Sequence, residues 1–213
     1  MEILFSMICA ACCAALVISE YKSSRRGVVL FKPLASAAFV AVGLSAGQAS
    51  DSNYMYCILL GLCASWLGDV LLIPAERAPF FLAGITCFLA AHLAYCAAFL
   101  TTGFSLAGFA FATLFMLPLS LFVLRWLRPH LADGFRYAVP LYIGVITIMV
   151  LLAGSATMIT GRPVFVIGAA LFAISDVAVA RDRFVMRGFV NRAWGLPLYY
   201  AAQLLLALSI VLF

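Results

Sequence analysis

The run from Tyr137 to Ile159, YAVPLYIGVITIMVLLAGSATMI, carries no charged residue and no alternation of polar with apolar positions. Wound as an α-helix it is long enough to cross a bilayer, whose ~30 Å of hydrocarbon takes roughly 20 apolar residues. A closed β-barrel also satisfies its backbone in lipid, but its strands alternate polar with apolar residues, and this run does not.

Seven more runs of the same kind fill the chain: Ile3 to Ser19, Val28 to Gly47, Tyr54 to Ile73, Phe80 to Leu100, Phe104 to Leu124, Val164 to Ala180 and Trp194 to Phe213. The chain is 67% hydrophobic and 10% charged, with a mean hydropathy of +1.17, so a polar exterior for 213 residues in water is missing. The expected fold class is all-α: a polytopic membrane bundle of eight transmembrane helices, in one membrane-embedded domain over residues 1–213. The first run is preceded by Glu2 and no base, with no small-residue cleavage site after it, and reads as a membrane helix rather than a signal peptide.

Lys and Arg orient the bundle. The odd-numbered connections hold Lys22, Arg25 and Arg26; Arg77; Arg125, Arg128 and Arg136; and Arg181, Arg183, Arg187 and Arg192, whereas the even ones hold only Arg162. The odd loops are therefore expected in the cytoplasm and both termini outside it, in a bacterial inner membrane. The net charge of +5 follows from this topology and from anionic headgroups. It does not point to nucleic acid, and no obligate protein partner is expected. The seven cysteines (Cys9, Cys12, Cys13, Cys57, Cys63, Cys87, Cys96) all fall within apolar runs and read as small hydrophobes; no metal or cofactor site is expected.

Slid against itself by 107 positions, the chain pairs Pro33 with Pro140, Ala46-Gly47 with Ala153-Gly154, Gly61 with Gly168, and Asp69-Val70 with Asp176-Val177. Proline and intramembrane aspartate are scarce, so their coincidence at one offset carries the weight. Four spans per repeat make the halves, about 1–105 and 106–213, parallel 4+4 repeats about an axis along the membrane normal. The same offset pairs His92 with Tyr199. Gly61 and Gly168 are expected to allow close backbone packing beside the acids.

Within the runs the ionisable residues are Lys32, Asp69, His92 and Asp176. A buried charge at such depth costs a few kcal/mol, about 2.5–3.5 for Asp at a helix centre, so it faces a partner or a water-filled cavity. Two repeat-related acids suggest one shared cavity. His92 shares a helix face with Tyr95, and Tyr199 with Gln203; Tyr200 lies next to Tyr199. His92 lies about 18 Å into its helix while Asp69 stands near the end of its own, so the two are not expected at one depth unless the fourth helix tilts or starts late. The simpler alternative is that each acid snorkels to Arg77 or Arg181.

Leu67-Gly68-Asp69-Val70-Leu71-Leu72, followed by Phe81, Gly84, Phe88 and His92-Leu93-Ala94-Tyr95, resembles the YhhN-like lysoplasmalogenase family of membrane hydrolases. Phe31-Lys32-Pro33-Leu34, Gly168 to Phe172, Ile174-Ser175-Asp176 and Leu198 to Gln203 resemble its other motifs, so that the likeness covers about Phe31 to Leu206. The resemblance implies hydrolysis of the vinyl ether of lysoplasmalogen, a lysophospholipid, to a fatty aldehyde and glycerophospho-ethanolamine or -choline, with Asp69 and Asp176 as the catalytic pair.

Vinyl ethers resist base and yield to acid, because the slow step is proton transfer to the β-carbon, giving an oxocarbenium ion that water captures. Two carboxyls in one site of low dielectric, holding one proton between them, suit that step, as two carboxyls do in glycosidases. Lys32 is then expected to meet the lipid phosphate, and His92, Tyr95, Tyr199, Tyr200 and Gln203 to orient the acids or the water. The alternative function on the same residues is a proton-coupled transporter of a small molecule or lipid.

Overall fold

The computed structural model describes residues 1–74 and 76–212, the side chain at position 49 apart. Among the described residues, eight helical segments are long and apolar enough to cross a membrane, the seventh counted together with the short helical turn that extends it. They are α1 (Glu2–Tyr21), α2 (Arg25–Ala46), α3 (Asn53–Leu71), α4 (Ala78–Thr101), α5 (Leu106–Leu127), α6 (Ala138–Thr160), α7 (Val164–Ala180) and α8 (Phe189–Leu208). No strand occurs among the described residues. The protein is an all-α polytopic membrane bundle.

Side-chain oxygens start three of the helices: Ser24, Ser52 and Ser105 accept from the backbone N–H of Gly27, Met55 and Gly108. Gly161, at φ +69°, ends α6 in the left-handed conformation that glycine takes without strain. The boundaries match the hydropathy reading within a few residues except at two places. The end of the eighth run at Phe213 lies outside the described residues. At the other end of that helix, α8 begins at Phe189, five residues before Trp194. The polar Asn191 and Arg192 belong to its first turn because they are satisfied by protein: Asn191 is buried and bonds Asp182 and the Met186 carbonyl, and Arg192 reaches Glu20 at 2.7 Å and Asp182 at 3.2 Å. A short π-helical turn, Arg181–Val185, extends α7 towards this network.

Consecutive helices pair as α1 with α2, α3 with α4, α5 with α6, and α7 with α8. Beyond these, α2 packs on α3 and α8, and α6 packs on α7 and α4, so this part of the pattern recurs when every helix is advanced by four. α1 and α5 are the least buried of the eight. The core is an aromatic and aliphatic layer in which Phe39, Phe88, Phe165, Phe172, Tyr199 and Tyr200 pack edge to face or tilted.

Glycine contacts differ from the reading at one pair. Gly61 does not pack beside Asp69 but under the ring of Tyr95, and Gly168 lies against Leu206. The glycine beside the acid is Gly68, where an added Cβ would stand 2.8 Å from the Phe88 ring. Of the cysteines, Cys9, Cys13 and Cys96 are buried, Cys12, Cys57 and Cys87 partly so, and Cys63 faces outward as an exposed residue.

Candidate active site

Asp69 stands two residues before the end of α3 and is 2% exposed. Its Oδ2 accepts from Tyr199 of α8 at 2.6 Å and from Ser36 of α2 at 2.7 Å, while Lys32 Nζ, one turn before Ser36, lies 3.4 Å from Oδ1. Ser36 has one hydroxyl hydrogen and lies 3.0 Å from the Lys32 carbonyl as well, so the shorter contact assigns that hydrogen to Asp69. Tyr200 completes the cluster, its hydroxyl 3.3 Å from both Ser36 Oγ and the Lys32 carbonyl. A carboxylate met by one ammonium and two hydroxyl donors is satisfied as an anion.

Asp176 of α7 has a sparser set. Its Oδ2 accepts from Tyr142 of α6 at 3.1 Å, and His92 Nε2 of α4 stands 3.5 Å from the same oxygen. No lysine or arginine pairs with it among the described residues. His92 is fully buried, its ring edge-on to Tyr142 and 4.5 Å from the centroid of Phe172.

The sequence-derived residues thus separate into three groups. Lys32, Tyr199 and Tyr200 gather around Asp69. His92 goes to Asp176 instead, which answers the depth problem: α3 stops early, with Gly68 beside Phe88, whereas α7 continues four residues past Asp176 before its π-helical turn. Tyr95 and Gln203 bond each other, hydroxyl to Oε1 at 2.8 Å, in the fully buried interior, and neither borders the cavity described next. Ser36 and Tyr142 are the donors that the sequence reading missed. Both lie on the helix preceding their acid, just after Pro33 and Pro140, and that placement is the signal that was there to be used. Neither acid meets Arg77 or Arg181; Arg181 bonds Asn191.

Asp69 and Asp176 both line one cavity of about 860 Å³. None of the donors above serves both acids. The route between them runs through rings in contact, from Tyr199 to Phe172 (5.4 Å between centroids) and from Phe172 to His92. Each acid is served by the preceding helix of its own half and by the fourth helix of the other half. The cavity opens toward the odd-numbered connections, where Arg25, Arg77, Arg183, Arg187 and Arg192 border it. Arg192 is engaged by Glu20 and Asp182, Arg187 pairs with Glu76 at 3.4 Å, and Arg183 stacks 4.0 Å over the Phe81 ring. Among the described residues no three of His, Cys, Asp and Glu form a group able to hold a metal ion.

A sequence model of the YhhN family matches residues 27–210, which is most of the chain and contains every residue of both acid clusters. The chain is 33% identical over 160 residues to a Bos taurus protein named lysoplasmalogenase TMEM86A, and 32% identical over 161 residues to the Homo sapiens protein of that name. Each match covers 72% of this chain and 65% of the relative's own length. It is 29% identical over 189 residues to the uncharacterized membrane protein YhhN of Shigella flexneri, covering 86% of both chains. No solved structure matches.

Proposed function

This chain belongs to the YhhN family, and from that premise we propose that it is a membrane hydrolase cleaving the vinyl ether of lysoplasmalogen. The overall change is R–CH=CH–O–R′ + H₂O → R–CH₂–CHO + R′–OH, with R′–OH a glycerophospho-ethanolamine or -choline. One observation carries the reading: two acids with unlike donors, Asp69 buried and Asp176 partly so, border the same cavity beneath a rim of arginines.

The unlike donors suggest unlike roles. Asp176 delivers a proton to the β-carbon of the vinyl ether, while electron flow from the ether oxygen makes the oxocarbenium ion. Asp69, held as an anion by Lys32, Ser36 and Tyr199, stabilises that cation and takes a proton from the attacking water. In the resulting hemiacetal the hydroxyl gives up its proton as the C–O bond to glycerol breaks, the leaving oxygen takes a proton, and the aldehyde forms; with that exchange neutral, the proton that Asp69 received from water replaces the one that Asp176 spent. Two carboxyls of opposite protonation flanking an oxocarbenium-like state is the arrangement glycosidases use. Lys32, 13% exposed and drawn to Asp69, supports the anion, and the lipid phosphate is met nearer the mouth by Arg25 and Arg77. Tyr95 and Gln203 then contribute by tying α4 to α8 rather than by touching substrate. The mouth faces the cytoplasm of a bacterial inner membrane, as the Lys and Arg bias implies, and the two halves act as parallel repeats that exchange their fourth helices.

The test is direct: purified protein in detergent, with a chelator present, is given lysoplasmalogen. Release of fatty aldehyde, abolished in Asp176→Asn and in Asp69→Asn variants that still fold, is the expected result. Failure of the wild type to release aldehyde, or near-normal turnover in either variant, refutes the reading. A transporter would leave the lipid covalently unchanged and would need a sealed vesicle and a gradient.

A further inference from the structure

The cavity has a third wall besides its arginine rim and its acid end. Leu82 and Ile85 of α4 and Met116 and Leu119 of α5 line it, and two of these, Leu82 and Leu119, keep 47% and 43% of their surface exposed. α4 and α5 follow one another in the chain but scarcely touch, because α5 leans on α6 instead, with Gly108 against the Gly154 carbonyl. Advancing the bundle by four helices turns the α1–α8 contact into one between α5 and α4; the first is packed and the second is not. The cavity is therefore closed on the side of α1 and α8 and parted on the side of α4 and α5, where the apolar Leu82, Ile85, Met116 and Leu119 flank the gap.

We propose that the gap between α4 and α5 is the portal of a single lipid chain: the hydrocarbon tail of a lysophospholipid lies between Leu82 and Leu119 and runs into the bilayer, while its headgroup stays under the arginine rim. The occupant follows from the walls. An apolar slot continuous with a cationic mouth fits an amphiphile with an anionic head. A slot one helix-gap wide takes one chain, and the tail need never leave an apolar surrounding to bring its first carbons to the acids. The proposal deepens the hydrolase reading by naming how its substrate enters, but it concerns binding and is tested without turnover.

The probe is a saturated-ether lysophosphatidylcholine carrying a diazirine near the end of its chain, photolysed with the protein in nanodiscs, with and without excess unlabelled saturated-ether lysophosphatidylcholine. Labelling that the competitor removes is expected on peptides of α4 and α5, and Leu82→Trp with Leu119→Trp should reduce it at least fivefold. Leu93→Trp, on an exposed part of α4 away from the cavity, should leave it in place. Competed labelling confined to other helices, or labelling of α4 and α5 that the competitor does not touch, overturns the portal. If the label maps to the gap but no aldehyde is released from lysoplasmalogen, the portal stands and the hydrolase reading falls; aldehyde release with competed label elsewhere does the reverse.

Discussion

Asp69 is reached from two helices at once, and each of its donors has a calculable part. Tyr199→Phe removes the 2.6 Å bond and nothing else of the ring's packing on Phe172 and Phe88. A hydrogen bond to a charged group is worth about 1.5–3 kcal/mol, so turnover is expected to fall about 10- to 100-fold with the fold intact; steady-state aldehyde release beside a thermal unfolding scan measures both. Lys32→Met strands the Asp69 charge in a site almost closed to water, at a cost on the order of 3 kcal/mol. Adding Asp69→Asn to it should restore much of that stability, and a double variant less stable than either single one would contradict the pairing. Lys32, Asp69 and Tyr199 were legible in the sequence because a charge or a polar ring stands out in an apolar run. Ser36 was not, because a lone serine hydroxyl at helical depth is cheap to bury against a carbonyl one turn back, as Thr147 does. Nor was Tyr142, since no charged residue shares its helix; only their placement after Pro33 and Pro140 marked the two.

Helices with no hydrophobic force between them in lipid rely on close backbone approach, and α5 has one such contact that fixes its place. A Cβ on Gly108 would stand 2.5 Å from the Gly154 carbonyl oxygen and 2.7 Å from Met158, so that backbone rather than a movable side chain must give way. Gly108→Ala is expected to lower stability by about 1–3 kcal/mol, the range for overpacking. Gly144→Ala, on α6 with nothing within 4 Å of the added carbon, should change little, and detergent unfolding of the two variants side by side decides it. Glycine contacts of this kind were only half legible: the repeat singled out Gly61 and Gly168, but which neighbour each would meet depends on the tilt of the facing helix. The eight spans, by contrast, could be read from hydropathy alone, since lipid leaves the backbone no other choice. The start of α8 could not, because Asn191 and Arg192 look like loop residues until Glu20 and Asp182 are brought to them from α1 and the turn after α7.

Seen whole, the molecule is polarised along the membrane normal. The arginine-bordered mouth and all but one of the basic connections lie at one end, and the short loops after α2, α4 and α6 lie at the other. Basic residues close to membrane helices stay on the cytoplasmic side, so the mouth should face the cytoplasm and a headgroup should enter from the inner leaflet. Two sites with open surroundings allow this to be measured: Gly134, in the connection between α5 and α6 with nothing within 4 Å of its Cβ position, and Arg162, in the connection between α6 and α7. In a background with all seven cysteines replaced, Gly134→Cys should react with a membrane-impermeant maleimide only in inside-out vesicles, and Arg162→Cys only from outside intact cells. The opposite pattern would turn the mouth outward. It would require the substrate to come from the outer leaflet, although the distances around Asp69 and Asp176 would be untouched, since neither cluster depends on which side the arginines face.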